Sequence, residues 1–179
     1  MRGSAMPFLN DLRDDRSGLA AMEFGLVLSM LVLLTLNGVE AARYYYGQME
    51  LQNAAQMGGQ AAYNKCDIDH LPATTKCSGL STAISTALQS SSLGTNVTQV
   101  SGSPSEGYYC VVDGVLTLAG SISDPKPVDC SAAGGSSSDQ PADYLTIQAK
   151  YTYAPIFSGV SLGSLLPTTV NSTVLMRLQ

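Results

Sequence analysis

The chain contains little charge and almost no histidine. Charged residues make up 13% of its 179 residues, and His70 is the one histidine. A soluble globular protein usually has about 25% charged residues. Nine Lys and Arg stand against fourteen Asp and Glu, so the net charge of −5 offers no basic field to nucleic-acid phosphates. The hydrophobic content of 45% argues against a charge-rich disordered chain. We therefore expect a folded protein with no nucleic-acid partner.

The sequence also lacks a recognisable catalytic or metal-binding motif. His70 has no second histidine with which to share a metal ion, and no nucleophile motif of a hydrolase is present. Asp67 and Asp69 could form the corner of a calcium site, but the turn glycine of the known loop pattern is missing, which favours a solvated loop. We predict that the protein is not an enzyme and uses no cofactor, metal ion or small-molecule substrate.

The apolar residues are concentrated near the N-terminus. Residues 24–39 carry no charge, and the run from 19 to 39 is interrupted only by Glu23. A helix of this length would span roughly 30 Å, the thickness of a hydrocarbon core. No convincing small-residue cleavage site follows the run, which argues against a cleaved secretory signal. We predict one transmembrane helix over 19–39, and the concentration of apolar residues in one segment excludes a polytopic membrane protein.

Basic residues near the ends of this run indicate its orientation. Arg13 and Arg16 precede it and Arg43 alone follows it, so the short N-terminus should stay cytoplasmic and the long C-terminal part should be exported. A carboxylate at Glu23 costs roughly 2.5–3.5 kcal/mol on insertion scales. Glu23 therefore either reaches back to the interface or pairs with a cation, which cleavage close upstream would create as a new α-amino group.

The segment Gly18-Leu-Ala-Ala-Met-Glu23-Phe24 resembles the processing motif of type IVc prepilins and pseudopilins of the tight-adherence (Tad/Flp) system. Together with Leu51-Gln-Asn-Ala-Ala55 and, more loosely, Tyr151-Thr-Tyr-Ala-Pro-Ile-Phe157, it is similar to the TadE-like family. The resemblance implies cleavage after Gly18, which would make Leu19 the mature N-terminus. Glu23 and Phe24 would then be the fifth and sixth mature residues, the positions that the family motif reserves for processing and assembly.

This resemblance implies a minor pilin or pseudopilin. Residues 1–18 would be a cytoplasmic leader removed by a prepilin peptidase. The mature chain would sit in the bacterial inner membrane with its C-terminal part periplasmic, packing through its N-terminal helix against other pilins. It would help to initiate or assemble an adhesive Tad pilus and could itself enter the surface filament. The alternative is a single-span envelope protein whose exported domain binds a ligand or surface, and a third possibility is a secreted enzyme that begins after Ala42.

Beyond the membrane run, residues 40–63 keep a helical pattern. Small and apolar residues recur at i, i+3, i+4, i+7 and i+11 from Leu51, which predicts an exported helical stem that packs closely against a sheet. Gly58 and Gly59 mark a point where the helix could kink or end. Three tyrosines at 44–46 suit either the membrane interface or a protein core.

The remaining residues, 64–179, are predicted to form an exported head. In an exported domain four cysteines favour disulfides. Of three possible connectivities, Cys66–Cys77 and Cys110–Cys130 are favoured because each closes a loop rich in Pro, Thr, Asp and Gly.

Local patterns predict the other elements of the head. An apolar face from Leu80 to Leu88 indicates a short helix with Ser78 or Ser81 as its N-cap. Strands are expected over 96–100, 108–118, 144–153 and 170–178, the second folded into a hairpin at Asp113-Gly114. The predicted fold class is α+β and pilin-like, with a long N-terminal helix packed on a small antiparallel β-sheet and stapled by disulfides.

Overall fold

The computed structural model describes residues 17–66, 68–157, 159 and 161–178. Residues 1–16 of the predicted leader, with the orientation signals Arg13 and Arg16, lie outside the described residues, as does Asp67 of the calcium corner. Three α-helices and five strands are described. The helices are α1 (Ser17–Lys65), α2 (Ala73–Lys76) and α3 (Leu80–Gln89). The strands are β1 (Val97–Gln99), β2 (Ser105–Val112), β3 (Val115–Ser121), β4 (Ala142–Thr152) and β5 (Thr169–Arg177).

The five strands form one antiparallel sheet around β4. β5 pairs along β4 from Tyr144↔Arg177 to Thr152↔Thr169. The other edge of β4 pairs first with β2 and then with β1, and β3 continues the sheet beyond β2. β2 and β3 join through Asp113 and Gly114 at φ 51° and 79°, the left-handed conformations that a two-residue hairpin turn requires. The predicted hairpin is confirmed.

The chain divides into two compact units. Unit 1 contains the residues up to Ala42 together with Pro155–Leu166, and unit 2 contains Arg43–Ala154 with Pro167–Gln179. The single helix α1 contributes to both. Unit 1 thus combines the apolar part of α1 with the connection between β4 and β5. The boundaries predicted at residues 18, 39 and 63 remain expectations.

The core of unit 2 lies between α1, α3 and the sheet. Its small-residue stripe is buried as the spacing predicts, and a Cβ added at Gly58 would lie 3.3 Å from Leu88 Cδ2 and 3.4 Å from Ile84 Cγ2. Close approach of α1 and α3 therefore depends on the missing side chain. The sheet closes this core with the alternate residues of its central strand. The fully buried members are Leu51, Ala54, Ala55, Ala62, Ala73, Ile84, Leu88, Val97, Leu145, Ile147 and Ala149.

Two disulfides link the head, Cys66–Cys77 and Cys110–Cys130. These are the two pairs that the loop composition favours. The first follows directly on the end of α1, and the second ties β2 to the loop before a short 3₁₀ turn at Ser131–Ala133. With the long helix and the antiparallel sheet, they confirm the predicted α+β fold class.

The structure differs from two local expectations, the N-cap of α3 and the effect of the two glycines in α1. The N-cap of α3 is Gly79 at φ 77°, not Ser78 or Ser81, because a left-handed residue turns the chain into the helix directly after the disulfide loop. Helix α1 continues through Gly58 and Gly59 without a break, because the neighbouring stripe residues are buried on one face and packing outweighs the weak helix propensity of glycine.

The three consecutive tyrosines of α1, at 44–46, differ in burial. Tyr44 packs against the core and meets the ring of Tyr153 edge-on, with centroids 5.2 Å apart. Tyr45 and Tyr46 are exposed. Only the first of them is a core residue.

Candidate functional site

The residues of the predicted processing motif lie on the first two turns of α1. Gly18, Leu19, Glu23 and Phe24 are all exposed. A Cβ at Gly18 would have no atom within 4 Å. The bond between Gly18 and Leu19 lies in the first turn of the helix, where amide groups lack intrahelical acceptors. Both residues that flank this bond are exposed.

Glu23 is placed one helical turn after Leu19. Residues at i and i+4 share a helix face, so a new amino group on Leu19 would emerge on the same side as the Glu23 carboxylate. Among the described residues, no hydrogen bond or ion pair involves Glu23. An exposed carboxylate in an apolar helix is available to a cation from its own N-terminus or from another chain.

The apolar part of α1 carries its side chains outward. It is long and apolar enough to cross a membrane, and none of that window is buried within the protein. Three of its uncharged polar side chains donate hydrogen bonds to carbonyls of the same helix: Ser29 Oγ to Leu26 O, Thr35 Oγ1 to Leu31 O, and Asn37 Nδ2 to Leu33 O. The exposed apolar residues are Leu19, Met22, Phe24, Leu26, Val27, Leu28, Met30, Leu31, Val32, Leu33, Leu34 and Val39. These features suit a lipid environment, in which polar groups must be satisfied internally.

Glu40 marks the end of this apolar run and is fully buried. Its Oε1 accepts from the amide of Ile156 at 3.1 Å and its Oε2 accepts from the amide of Phe157 at 3.3 Å. One turn earlier, Asn37 Oδ1 accepts from the amide of Leu162 at 2.6 Å. We call this set, in which two helix side chains hold the 155–166 segment by its backbone, the clasp.

Gly163 allows the clasp to close. A Cβ at this position would lie 2.6 Å from Glu40 Cγ and 2.9 Å from Pro155 Cβ. The segment therefore approaches the helix more closely than any side chain would permit. Ser161 begins the 3₁₀ turn Leu162–Leu165, and its side chain accepts from the amide of Gly163.

The clasp was not predicted from the sequence, although a signal for it exists. Extending the stripe of α1 backwards from Leu51 by helical steps reaches Gly47, Tyr44, Glu40 and Asn37. A carboxylate on the buried face of an amphipathic helix requires partners. The helical spacing thus marks Glu40 as buried, but only the tertiary structure supplies the two amides.

A second buried carboxylate lies in unit 2. Asp143 on β4 is buried, and its Oδ1 has no hydrogen-bond partner. Burial, then the charge of Glu106 on β2 and a hydrogen bond with it, raise the pKa of Asp143 to about 7, while Lys126 acts in the opposite direction. Tyr108 has a raised pKa, mainly through burial and secondarily because Asp143 and Glu106 are negative. Burial and the negative charge of Glu106 thus favour the protonated form of Asp143.

Glu106 has a structural role beside this pair. Its carboxylate accepts from the amides of Ala73 and Thr74 at 2.8 and 2.7 Å, and from the hydroxyl of Thr74. It therefore caps the N-terminus of α2 from a neighbouring strand. Within the described ranges, no group of three or more His, Cys, Asp or Glu is placed to hold a metal ion.

The exposed motif, the apolar part of α1 and most of the buried stripe fall within a segment that has known relatives. Residues 18–60 match the family described as TadE-like protein. This match confirms the predicted resemblance for that segment. The TadE-like segment contains Gly18, Leu19, Glu23 and Phe24 and ends before the first cysteine. No curated protein and no solved structure matches the chain. The match favours a protein associated with a Tad pilus system that carries an N-terminal membrane helix.

Proposed function

We propose that the protein is a minor pilin or pseudopilin that helps to initiate or assemble a Tad-type adhesive pilus. The observation that carries the proposal is the exposed Gly18–Leu19 bond at the start of an outward-facing apolar helix, inside the TadE-like segment. A prepilin peptidase would cut this bond and release residues 1–18. The mature helix would then span the inner membrane with the N-terminus on the cytoplasmic side and unit 2 in the periplasm.

In this proposal Glu23 supplies the carboxylate that pairs with the new N-terminal ammonium group during assembly. Cleavage creates an ammonium group on Leu19 at a depth where charge is costly. A carboxylate about 4 Å away gains roughly 4 kcal/mol at an effective dielectric constant near 20, before desolvation is counted. Pairing between the ammonium of one subunit and the Glu23 of the next would neutralise both charges. It would also set the register of adjoining helices, which present exposed apolar surface along their length.

Processing is tested by N-terminal sequencing of membrane-extracted protein. We expect a mature start at Leu19. Gly18→Val should block cleavage, because the added side chain stands where the peptidase approaches the backbone. It should leave the fold intact, because no atom lies within 4 Å of the new Cβ. Gly25→Val is the matched control, since it is equally open in the same helix, and it should be processed normally. A wild-type start at Met1 or after Ala42 would refute the proposal.

Assembly is tested separately with Glu23→Ala. This variant should be cut at the same bond but should fail to support pili, counted on cells by electron microscopy. Ser29→Ala changes another exposed polar residue of the same helix and should assemble normally. If an unrelated membrane helix without Glu23 restored full function, the alternative would be favoured, in which the helix is only an anchor for a ligand-binding domain.

A further inference from the structure

The clasped segment exposes large apolar side chains. In unit 1, Ile156, Leu162 and Leu165 are 57%, 57% and 79% exposed. No residue from 155 to 166 is charged. Several exposed large apolar side chains without any charge on a short connection commonly mark contact with a membrane or a partner.

The clasp fixes the height of this segment along α1. The amide of Leu162 is bonded to Asn37, which lies within the predicted span of 19–39, and the amides of Ile156 and Phe157 are bonded to Glu40 just beyond it. Leu162 is therefore held at the level of the last turn of the apolar run. At this level a bilayer changes from acyl chains to headgroups.

The backbone of the 155–166 segment has the internal hydrogen bonds that a position at the membrane interface requires. Besides the three amides bound by the helix, Ser161 Oγ accepts from Gly163 N at 3.2 Å and donates to Phe157 O at 2.8 Å. Ser164 Oγ donates to Ser161 O. Irregular backbone at membrane depth requires such internal partners, since lipid provides none. In water these bonds would be less necessary, because water molecules could bind the same backbone groups.

We propose that this segment is a membrane-interface anchor, which inserts Ile156, Leu162 and Leu165 into the outer leaflet beside α1. The occupant of these exposed side chains is lipid rather than a second protein, because the segment is bonded to the end of a helix whose own apolar side chains are exposed and because the segment carries no charge that would select a partner. Interfacial segments of this kind insert about 5–10 Å into the headgroup and acyl boundary. The anchor would fix the height of α1 in the bilayer through Asn37 and Glu40.

The protein contains no tryptophan, so a single introduced indole reports its own surroundings. The full chain is reconstituted as one copy per nanodisc, with bromine placed either near the headgroups or deep in the acyl chains. Leu165→Trp should emit at shorter wavelength than Val128→Trp, an 88% exposed reference in unit 2. It should also be quenched more strongly by shallow bromine than by deep bromine. Val32→Trp, near the middle of the predicted span, should be quenched most by deep bromine.

The inference rests on the membrane helix of the proposed function, and the three probes separate the two. Quenching of Val32→Trp without quenching of Leu165→Trp overturns the interface anchor and leaves the membrane helix in place. Absence of quenching at Val32→Trp overturns both. Blue-shifted but unquenched emission at Leu165→Trp indicates contact with protein and also refutes the inference.

A second variant tests whether the clasp holds the segment at this depth. Gly163→Ala in the Leu165→Trp background places a Cβ 2.6 Å from Glu40 Cγ and should reduce the shallow quenching. Gly38→Ala, which has no atom within 4 Å of its new Cβ, should leave the quenching unchanged. Equal quenching in both variants would show that depth does not depend on the clasp and would overturn that part of the inference.

Discussion

Glu40 is buried because two amides replace the water that its carboxylate would otherwise bind. Hydrogen bonds to a charged group contribute about 1.5–3 kcal/mol each. Glu40→Gln keeps the size of the side chain but removes the charge and one acceptor. We expect the amides of Ile156 and Phe157 to exchange at least about tenfold faster, since 1.4 kcal/mol corresponds to a factor of ten.

Hydrogen exchange followed by mass spectrometry measures this effect in the reconstituted protein. Glu50→Gln is the control, because Glu50 accepts from Ser92 Oγ within unit 2. If exchange at 156 and 157 were equal in the two variants, Glu40 would not hold the segment.

Asp143 makes the stability of unit 2 depend on pH. Its pKa is raised from 3.8 to about 7 in the folded state, so between these values the folded chain holds more protons than the unfolded chain. The free energy of unfolding therefore falls as the pH rises from about 4 to about 7, and the stabilisation is fully present only below that window. Asp143→Asn should flatten this slope and be more stable than wild type at pH 8, because its neutral amide can donate to Glu106.

Thermal unfolding followed by near-ultraviolet circular dichroism at several pH values tests this expectation. Asp124→Asn, an exposed change in unit 2, should keep the wild-type slope. If the unfolding temperatures of wild type and Asp143→Asn changed with pH in parallel, Asp143 would not be the cause of the pH dependence.

At the scale of elements, the close contact of α1 with α3 depends on Gly58. Gly58→Leu inserts a branched side chain where a single Cβ already approaches Leu88 and Ile84 at 3.3 and 3.4 Å. Overpacking of this kind costs about 1–3 kcal/mol. Gln56→Leu adds the same side chain at an exposed position of the same helix. Denaturant unfolding should show a lower midpoint for Gly58→Leu alone, and equal midpoints would exclude tight packing at this site.

The two disulfides should contribute unequally. Their cysteines are 11 and 20 residues apart, and constraint of the unfolded chain is worth about 2–4 kcal/mol and increases with loop length. Replacing Cys110 and Cys130 together by serine should therefore destabilise the head more, by about 0.5 kcal/mol, than the same change at Cys66 and Cys77. Denaturant titration of the two double variants compares them directly. The opposite order would show that strain or local packing outweighs loop length.

Elements defined by short-range patterns could be predicted from the sequence. The Asp113-Gly114 hairpin and the alternation of β4 depend on residues that are neighbours in the sequence, so both can be predicted from a short stretch of it. The same alternation places Asp143 on the face of Leu145, Ile147 and Ala149, so the burial of this carboxyl can also be predicted from the sequence. The two amides that bind Glu40 could not be predicted, because they lie 116 and 117 residues away in the sequence. Every residue except proline has a backbone amide, so the residue types at 156 and 157 do not indicate this contact.

For the whole molecule, leader removal should change mass but not charge. Residues 1–18 contain three Arg and three Asp, so the mature chain of the proposed function keeps a formal net charge of −5. Intact mass spectrometry should show the loss of residues 1–18, while isoelectric focusing should show little shift against Gly18→Val. A large shift in isoelectric point would indicate a different cleavage site.

The clasp has a consequence for the order in which the chain is made and folded. A ribosome that has produced the whole of α1 has produced neither Ile156 nor Phe157, so the carboxylate of Glu40 has no amide partners during most of translation. The strand β5 that completes the sheet comes later still. A chain stopped before residue 156 would carry α1 and all four disulfide cysteines, yet Glu40 would lack these two amides and the last strand would be absent. In the topology of the proposed function, closure of the clasp thus requires that almost the entire polypeptide has been made and delivered across the membrane.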